Sequence, residues 1–357
     1  MSVHNLLKSL VDQDPNKVII KTLSREITRA ELYETADDLA KRLLGMGYKK
    51  GDVICLHLGN VLECVLLKVA CWFAGMLPYC MSSRSSLPTV IELEKDAGVN
   101  LRIDWEVYEE LLRTPPVSVI PYPDDNDQMS VRLSSGTPGK PKMIRDNFRM
   151  RELSTQDLNN ILEVTSDDRI MFDNQQYVGT SNTCILGVLL TGSCLLHFNP
   201  FVDDVKKFIG KLRPTILYLP SSRERPSLSI SDYEGIDLSD VRRGIIIGFW
   251  KSLDDAIKFD GMLENGKLVA AYGMTELSCF FVCSFDEPLE KRLTRYGKIS
   301  ELPEYCRVID NELQVRTDHC FHYDGIVIQD GWYHTGDIIA VDEDGYFYPN
   351  GRLRLRT

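Results

Sequence analysis

The stretch Leu133-Ser134-Ser135-Gly136-Thr137-Pro138-Gly139-Lys140-Pro141-Lys142 decides how the chain is to be read. It follows an alternation of apolar residues at Met129, Val131 and Leu133, the period of a half-buried strand. Glycines let a backbone approach an anion closely, lysines add charge and hydroxyls add donors, so the expected ligand is a polyphosphate. A solvated surface turn is the other reading that such a composition permits. The Walker pattern does not fit. Only Thr137 and Pro138 separate the glycines, and Pro141 follows Lys140 where a metal-binding hydroxyl would be needed.

A chain of 357 residues exceeds a single core, so one multilayer unit or two to three subdomains are expected. The net charge of −11 argues against nucleic acid or an anionic membrane as the main partner. An anionic nucleotide would then be held by a local cluster. The N-terminus, Met1-Ser2-Val3-His4-Asn5, has no basic segment followed by an apolar core, so no signal peptide is expected. The most apolar stretch, 61–81, carries Glu63, Lys68 and Pro78 and reads as a buried helix then a strand, not a membrane span. Ten cysteines without a Cys-x-x-Cys pattern suggest reduced, buried thiols in a cytoplasmic protein. Cys279/Cys283 and His319-Cys320-Phe321-His322 lack zinc spacing.

Thr28-Arg29-Ala30-Glu31 is a capping box. It should open a helix with Leu32, Ala36, Leu39, Ala40, Leu43 and Leu44 on one face, stopped by Gly45 and Gly47. A strand at 53–58 follows, then a helix capped by Asn60 and running to about Gly75. A strand at 77–80, a helix after Pro88 and a strand at 99–103 complete an alternation that implies a parallel sheet with helices on its faces. Residues 115–127 form a Pro/Asp-rich connector. Beyond the glycine loop, strands are expected at 170–172, 194–198, 215–219, 244–247 and 268–271, and helices at 182–190, 203–212 and 254–263. Residues 221–233, rich in Ser, Arg and Pro, read as an exposed loop. From about Tyr296 the pattern turns to short strands at 306–309, 312–316, 338–341 and 346–348. The expected fold is α/β: two layered subdomains, about 1–120 and 128–290, plus a small β-barrel-like subdomain at 296–350.

Two further stretches carry chemistry. In Ala271-Tyr272-Gly273-Met274-Thr275-Glu276 an aromatic face, a hydroxyl and a carboxylate follow a strand, where open α/β sheets bind ligands. Tyr272 could stack on a base, Thr275 donate to a phosphate and Glu276 hold Mg²⁺; a capped helix start is the plainer alternative. In Gly331-Trp332-Tyr333-His334-Thr335-Gly336-Asp337, the aspartate suits a ribose diol, or is simply a turn residue entering the strand at 338–341.

Taken in order with Gly351-Arg352, these stretches resemble the adenylate-forming superfamily: acyl- and aryl-CoA synthetases, nonribosomal peptide synthetase adenylation domains and firefly-type luciferases. The resemblance extends from Ile27-Thr28-Arg29-Ala30-Glu31-Leu32 through Gly51-Asp52-Val53 and Ala74-Gly75-Met76-Leu77-Pro78 over nearly the whole chain. It implies an AMP-binding core at 1–352, in which Ser134, Ser135, Gly136, Thr137, Gly139, Lys140 and Lys142 close over the β- and γ-phosphates of ATP. It further implies that Tyr272 and Gly273 lie at adenine, Thr275 touches the α-phosphate and Glu276 binds Mg²⁺. Asp337 would hold the ribose hydroxyls and Arg352 approach them. Thr275, Glu276 and Lys142 are the implied catalytic residues. The acid would lie near Tyr177, Gly179, Gly248, Phe249 and Trp250.

The sequence departs from that pattern in places. Residues 353–357 correspond to the start of a hinge, so the family's C-terminal lid domain is expected to be absent and catalysis by this chain alone weak. Pro138 replaces a loop hydroxyl, and Gly248-Phe249-Trp250 is bulky for a turn beside adenine. Gly179 stands where amino-acid-activating members place an aspartate; Asp173 is out of register, which favours an acid without an α-amino group. The implied function is that of an acid–thiol ligase, making an acyl-adenylate from a small carboxylic acid with ATP and Mg²⁺. The adenylate would pass to CoA or to the phosphopantetheine of an acyl or peptidyl carrier protein, with a separate lid-bearing partner as one possible source of the missing domain. The alternative is a degraded adenylation fold that acts as a nucleotide- or acyl-binding scaffold.

Overall fold

Thr28 opens the helix Arg29–Gly45 through both halves of a capping box. Its hydroxyl accepts from the Glu31 N–H at 3.2 Å, and the Glu31 carboxylate accepts from the Thr28 N–H at 2.8 Å. Leu32, Ala36, Leu39, Ala40 and Leu43 are buried on one face, as their spacing requires. Removing the cap hydroxyl with Thr28→Ala is expected to cost about 1 kcal/mol. A lower urea midpoint with an unchanged slope would register it.

The structure, a computed structural model, describes residues 2–82, 85–124, 127–133, 143–172, 176–177, 179–220, 230–247, 252–274, 276–277, 280–320, 322–323 and 328–352. The next helix, Leu62–Phe73, is buried all round except at Glu63, as a helix inside a core must be. Asn60 does not cap it. The cap position is Val61, without a side-chain bond. The buried Asn60 amide is satisfied at long range instead: it donates to Phe198 O at 3.1 Å and accepts from Gln176 N–H at 3.1 Å.

Strand Val53–Leu56 pairs in parallel with Leu77–Cys80 on one side and Val99–Ile103 on the other, the small sheet that the alternation implied. The larger sheet has eight strands. Its order runs Phe281–Val282, Lys267–Tyr272, Arg243–Ile247, Ile216–Pro220, Arg169–Phe172, Cys194–His197, Val18–Lys21 and Glu26–Thr28. The last two form an antiparallel hairpin whose first strand pairs in parallel with Cys194–His197. Neither this hairpin nor the leading helix Val3–Gln13 is among the elements that the sequence pattern marks. Strands Gln128–Leu133 and Met143–Asn147 form an antiparallel pair, joined at its edge by His322–Tyr323.

The C-terminal unit is built from Cys306–Ile309, Glu312–Arg316, Ile328–Gln329, Trp332–Val341 and Phe347–Arg352. The expected strand at 338–341 is only the end of the ten-residue strand Trp332–Val341, so Asp337 lies within a strand and not ahead of it. One buried cluster joins Ala270, Tyr272, Leu277 and Phe281 to Tyr333, Ile339 and Phe347. That apolar contact fixes the C-terminal unit against the end of strand Lys267–Tyr272. The exposed loop expected at 221–233 falls mostly outside the described residues; its last part is the helical turn Ile230–Tyr233. No helix among the described residues is long and apolar enough to cross a membrane.

Candidate active site

Strand Lys267–Tyr272 is buried from Leu268 onward and runs parallel to Arg243–Ile247, so Tyr272 marks the carboxyl end of the sheet. The Tyr272 ring packs against Phe281 and Tyr296, with centroids 5.7 and 5.5 Å away. Its hydroxyl donates to Asp337 Oδ2 at 2.5 Å. The other Asp337 oxygen lies 3.3 Å from Arg352 Nε, across the pairing of the two last strands. Arg352 also donates to Thr335 O at 3.3 Å. Three residues expected at one nucleotide, at positions 272, 337 and 352, therefore meet around one carboxylate.

A bulge aims that carboxylate. Between Glu312↔Ile338 and Gln314↔His334 the register shifts, leaving Thr335, Gly336 and Asp337 opposite a single residue. Gly336 takes φ 75°, a conformation that glycine adopts without strain. The Glu312 carboxylate accepts from the Gly336 N–H at 2.9 Å and pairs with His334 Nδ1 at 2.8 Å. The buried Thr335 hydroxyl donates to Leu313 O at 2.7 Å and accepts from the Asp337 N–H at 3.1 Å. Glu312 is thus a supporting residue that the motif reading missed. Its only signal is that Glu312 and Gln314 alternate as polar residues on a strand whose burial is nearly complete.

Glu276 is buried, and the Arg132 guanidinium feels its charge. Leu277 bridges Cys320, and the following His322–Tyr323 pairs with strand Met143–Asn147. The stems of the glycine loop close at the pair Leu133↔Met143. Glu276 is therefore joined to the loop's stems through one bridge and one short strand. Ser134, Ser135, Gly136, Thr137, Gly139, Lys140 and Lys142 lie outside the described residues, as do Pro138, Asp173, Thr275, Gly248, Phe249 and Trp250.

Below the loop's stems lies an ionic network. Asp146, with no exposed surface, sits between Arg132 Nε at 3.2 Å and Arg151 Nη2 at 2.7 Å. It also accepts from Ser130 Oγ. Burial works to raise the Asp146 carboxyl, but the two guanidinium groups outweigh it and hold the group below the usual carboxylate range. Burial, reinforced by Arg151, brings Arg132 down to about 9. Asn182 Nδ2 donates to Ser130 Oγ at 2.9 Å and Arg151 Nη1 to Thr183 Oγ1 at 3.0 Å, tying the network to the helix Gly179–Thr191. Gly179 opens that helix against Arg132: a Cβ there would fall 2.3 Å from Arg132 Nη1. Tyr177 is half-buried just before it. The hint in the sequence is that Ser130 and Arg132 share a face of strand Gln128–Leu133, opposite the apolar alternation.

The profile of the family described as AMP-binding enzyme matches residues 7–319. Bacitracin synthase 1 of Bacillus licheniformis is 24% identical over 391 residues, covering 98% of this chain and 7% of that protein. The 2-succinylbenzoate–CoA ligase of Bacillus subtilis is 21% identical over 379 residues, covering 96% of this chain and 76% of that protein. Among solved structures, the N-terminal domain of FACL13 from Mycobacterium tuberculosis has the same fold, with a TM-score of 0.83 at 18% identity. There 99% of this chain aligns with 100% of that one. With the family profile extending over residues 7–319, the chain belongs to the AMP-binding enzyme family.

Proposed function

We propose that this chain is the nucleotide- and acid-binding core of an acid–thiol ligase. It would use Mg·ATP to convert a small carboxylic acid to an acyl-adenylate, and pass the acyl group to a thiol. The observation that carries this reading is the Asp337 carboxylate held between the Tyr272 hydroxyl and Arg352 at the carboxyl end of the sheet. A carboxylate so fixed is an acceptor for both hydroxyls of a ribose, next to an aromatic face for the base.

The reaction joins two anions, so its barrier falls with positioning and charge neutralisation. A substrate carboxylate oxygen attacks the α-phosphorus in line, and pyrophosphate leaves. In this reading the loop at 134–142, with Lys140 and Lys142, holds the departing phosphates and Thr275 the α-phosphate. Glu276 fits a magnesium ion as a single buried carboxylate, and no group of three His, Cys, Asp or Glu among the described residues could hold a metal by itself. Such a donor set suits an ion bound mostly by phosphate oxygens and water. When bound, magnesium would neutralise charge on the phosphates.

Arg132 beside Gly179 bears on the acid. A substrate ammonium at that point would meet a like charge, so we assign an acid without an α-amino group. The relative named as a 2-succinylbenzoate–CoA ligase supports CoA as the acceptor thiol, and the phosphopantetheine of a carrier protein is the second acceptor of this reading. The described cysteines are all free thiols, in keeping with a cytoplasmic setting.

Thermal unfolding with Mg·ATP, AMP or a non-hydrolysable acyl-adenylate mimic tests the reading. A saturable rise in Tm is expected, since a ligand that binds only the folded state stabilises it. No rise with any of the three would overturn it. Pyrophosphate exchange with a panel of acids then identifies the substrate.

A further inference from the structure

The core helix Leu62–Phe73 buries an ammonium. Lys68 is 2% exposed, and its Nζ donates to Gln176 O at 2.7 Å and Ser181 Oγ at 2.6 Å. Its charge also acts on the thiol of Cys80, lowering it. Cys80 ends the strand Leu77–Cys80, and its Sγ lies 3.7 Å from the Sγ of Cys64 in the first turn of the same helix. Cys71 also lies near Cys80, Cys55 points to the other face of the sheet, and Cys184 and His197 lie within reach of the Lys68 charge. None of these groups is part of the nucleotide site.

We propose that Cys64 and Cys80 form a reversible dithiol–disulfide site, with Cys80 the sulfur that reacts first and a hydroperoxide the oxidant. The two sulfur atoms are already in van der Waals contact. Cys80 is partly exposed, whereas Cys64 is buried, so an oxidant in solution meets Cys80 first. Burial works to raise the Cys80 thiol, but the Cys64 S–H donated to it and the Lys68 ammonium outweigh this and hold it below the usual thiol range. Six other thiols go the opposite way: burial pushes Cys184 and Cys320 up to about 12, Cys194 and Cys283 up to about 11, and Cys55 and Cys71 higher still.

The chemistry balances. The Cys80 thiolate attacks a peroxide oxygen and the O–O bond breaks. With hydrogen peroxide the leaving hydroxide takes a proton to become water, and Cys80 is left as a sulfenic acid. The Cys64 sulfur then attacks the Cys80 sulfur, the S–O bond breaks, and the departing hydroxide takes the Cys64 proton as a second water. Two thiols and one peroxide give one disulfide and two waters. The new bond removes the thiol that the Lys68 charge acts on, and Lys68 is the group that holds Gln176 and Ser181 around the start of helix Gly179–Thr191.

The test uses the whole chain, reduced, freed of reductant and treated with hydrogen peroxide at neutral pH. Intact mass is expected to fall by two hydrogens and the free-thiol count by two. After combined tryptic and chymotryptic digestion, which separates Cys64 from Cys55 and Cys80 from Cys71, the peptides containing Cys64 and Cys80 should be linked, and dithiothreitol should separate them. Cys64→Ser should leave Cys80 as a sulfenic acid that dimedone traps, and Lys68→Met should slow thiol loss about tenfold by lowering the thiolate fraction. A disulfide mapped to other cysteines would overturn the proposal. So would oxygen added to Cys80 of the wild-type chain without pairing, or equal rates for wild type and Lys68→Met. The wild-type peptide map decides even if a variant does not fold.

Discussion

Asp337→Ala is expected to weaken binding of ATP or AMP by roughly 10- to 100-fold, the worth of hydrogen bonds to a charged group. The carboxylate is the acceptor proposed for the ribose hydroxyls, and alanine offers none. The substitution also frees the Tyr272 hydroxyl and Arg352, the two groups that hold the carboxylate in place. Tyr272→Phe separates the two effects, because it removes only the orienting bond at 2.5 Å and leaves the acceptor. Its loss in affinity should therefore be smaller. Isothermal titration with each variant, alongside circular dichroism to check the fold, measures the difference. Wild-type affinity in Asp337→Ala would show that the ribose lies elsewhere.

Asp146→Ala should produce the largest loss of stability. The carboxylate has no exposed surface and lies against both Arg132 and Arg151. Breaking a buried pair by removing one partner costs about 3–5 kcal/mol, because the remaining charge loses its compensation. Urea denaturation would reveal it, and adding Arg132→Leu to Asp146→Ala should recover part of the loss. The pH dependence has a definite sign. The folded-state carboxyl is held below its ordinary value, so its contribution is fully present above about pH 4 and disappears as pH falls through the lower folded value. A wild-type chain should thus lose stability on acidification in a window where Asp146→Ala changes less.

Much of the fold was legible because its signals are local. The capping box at Thr28 and Glu31 and the apolar face from Leu32 to Leu43 each lie within a few turns of one helix. The strands Cys306–Ile309 and Glu312–Arg316 fall where their alternation put them. Asn60 was misread because a side-chain amide next to a helix start has two uses, and only burial against Phe198 and Gln176 decides between them. Tyr272, Asp337 and Arg352 could be named from motifs, but the bulge that turns Asp337 toward Tyr272 depends on Glu312, a residue with no motif of its own. Arg132, Asp146 and Arg151 escaped for the same reason: a buried charge is recognised by its partners, and these come from two strands and a helix.

The hairpin at Val18–Lys21 and Glu26–Thr28 has a consequence for how the chain comes off the ribosome. Its parallel partner, Cys194–His197, is translated some 170 residues later. At ordinary elongation rates that is a delay of roughly ten to thirty seconds. Through that interval Ile19 and Ile20, later sealed in the interior, have no neighbour on one side of their strand. The amino-terminal hairpin is thus made early and docked late.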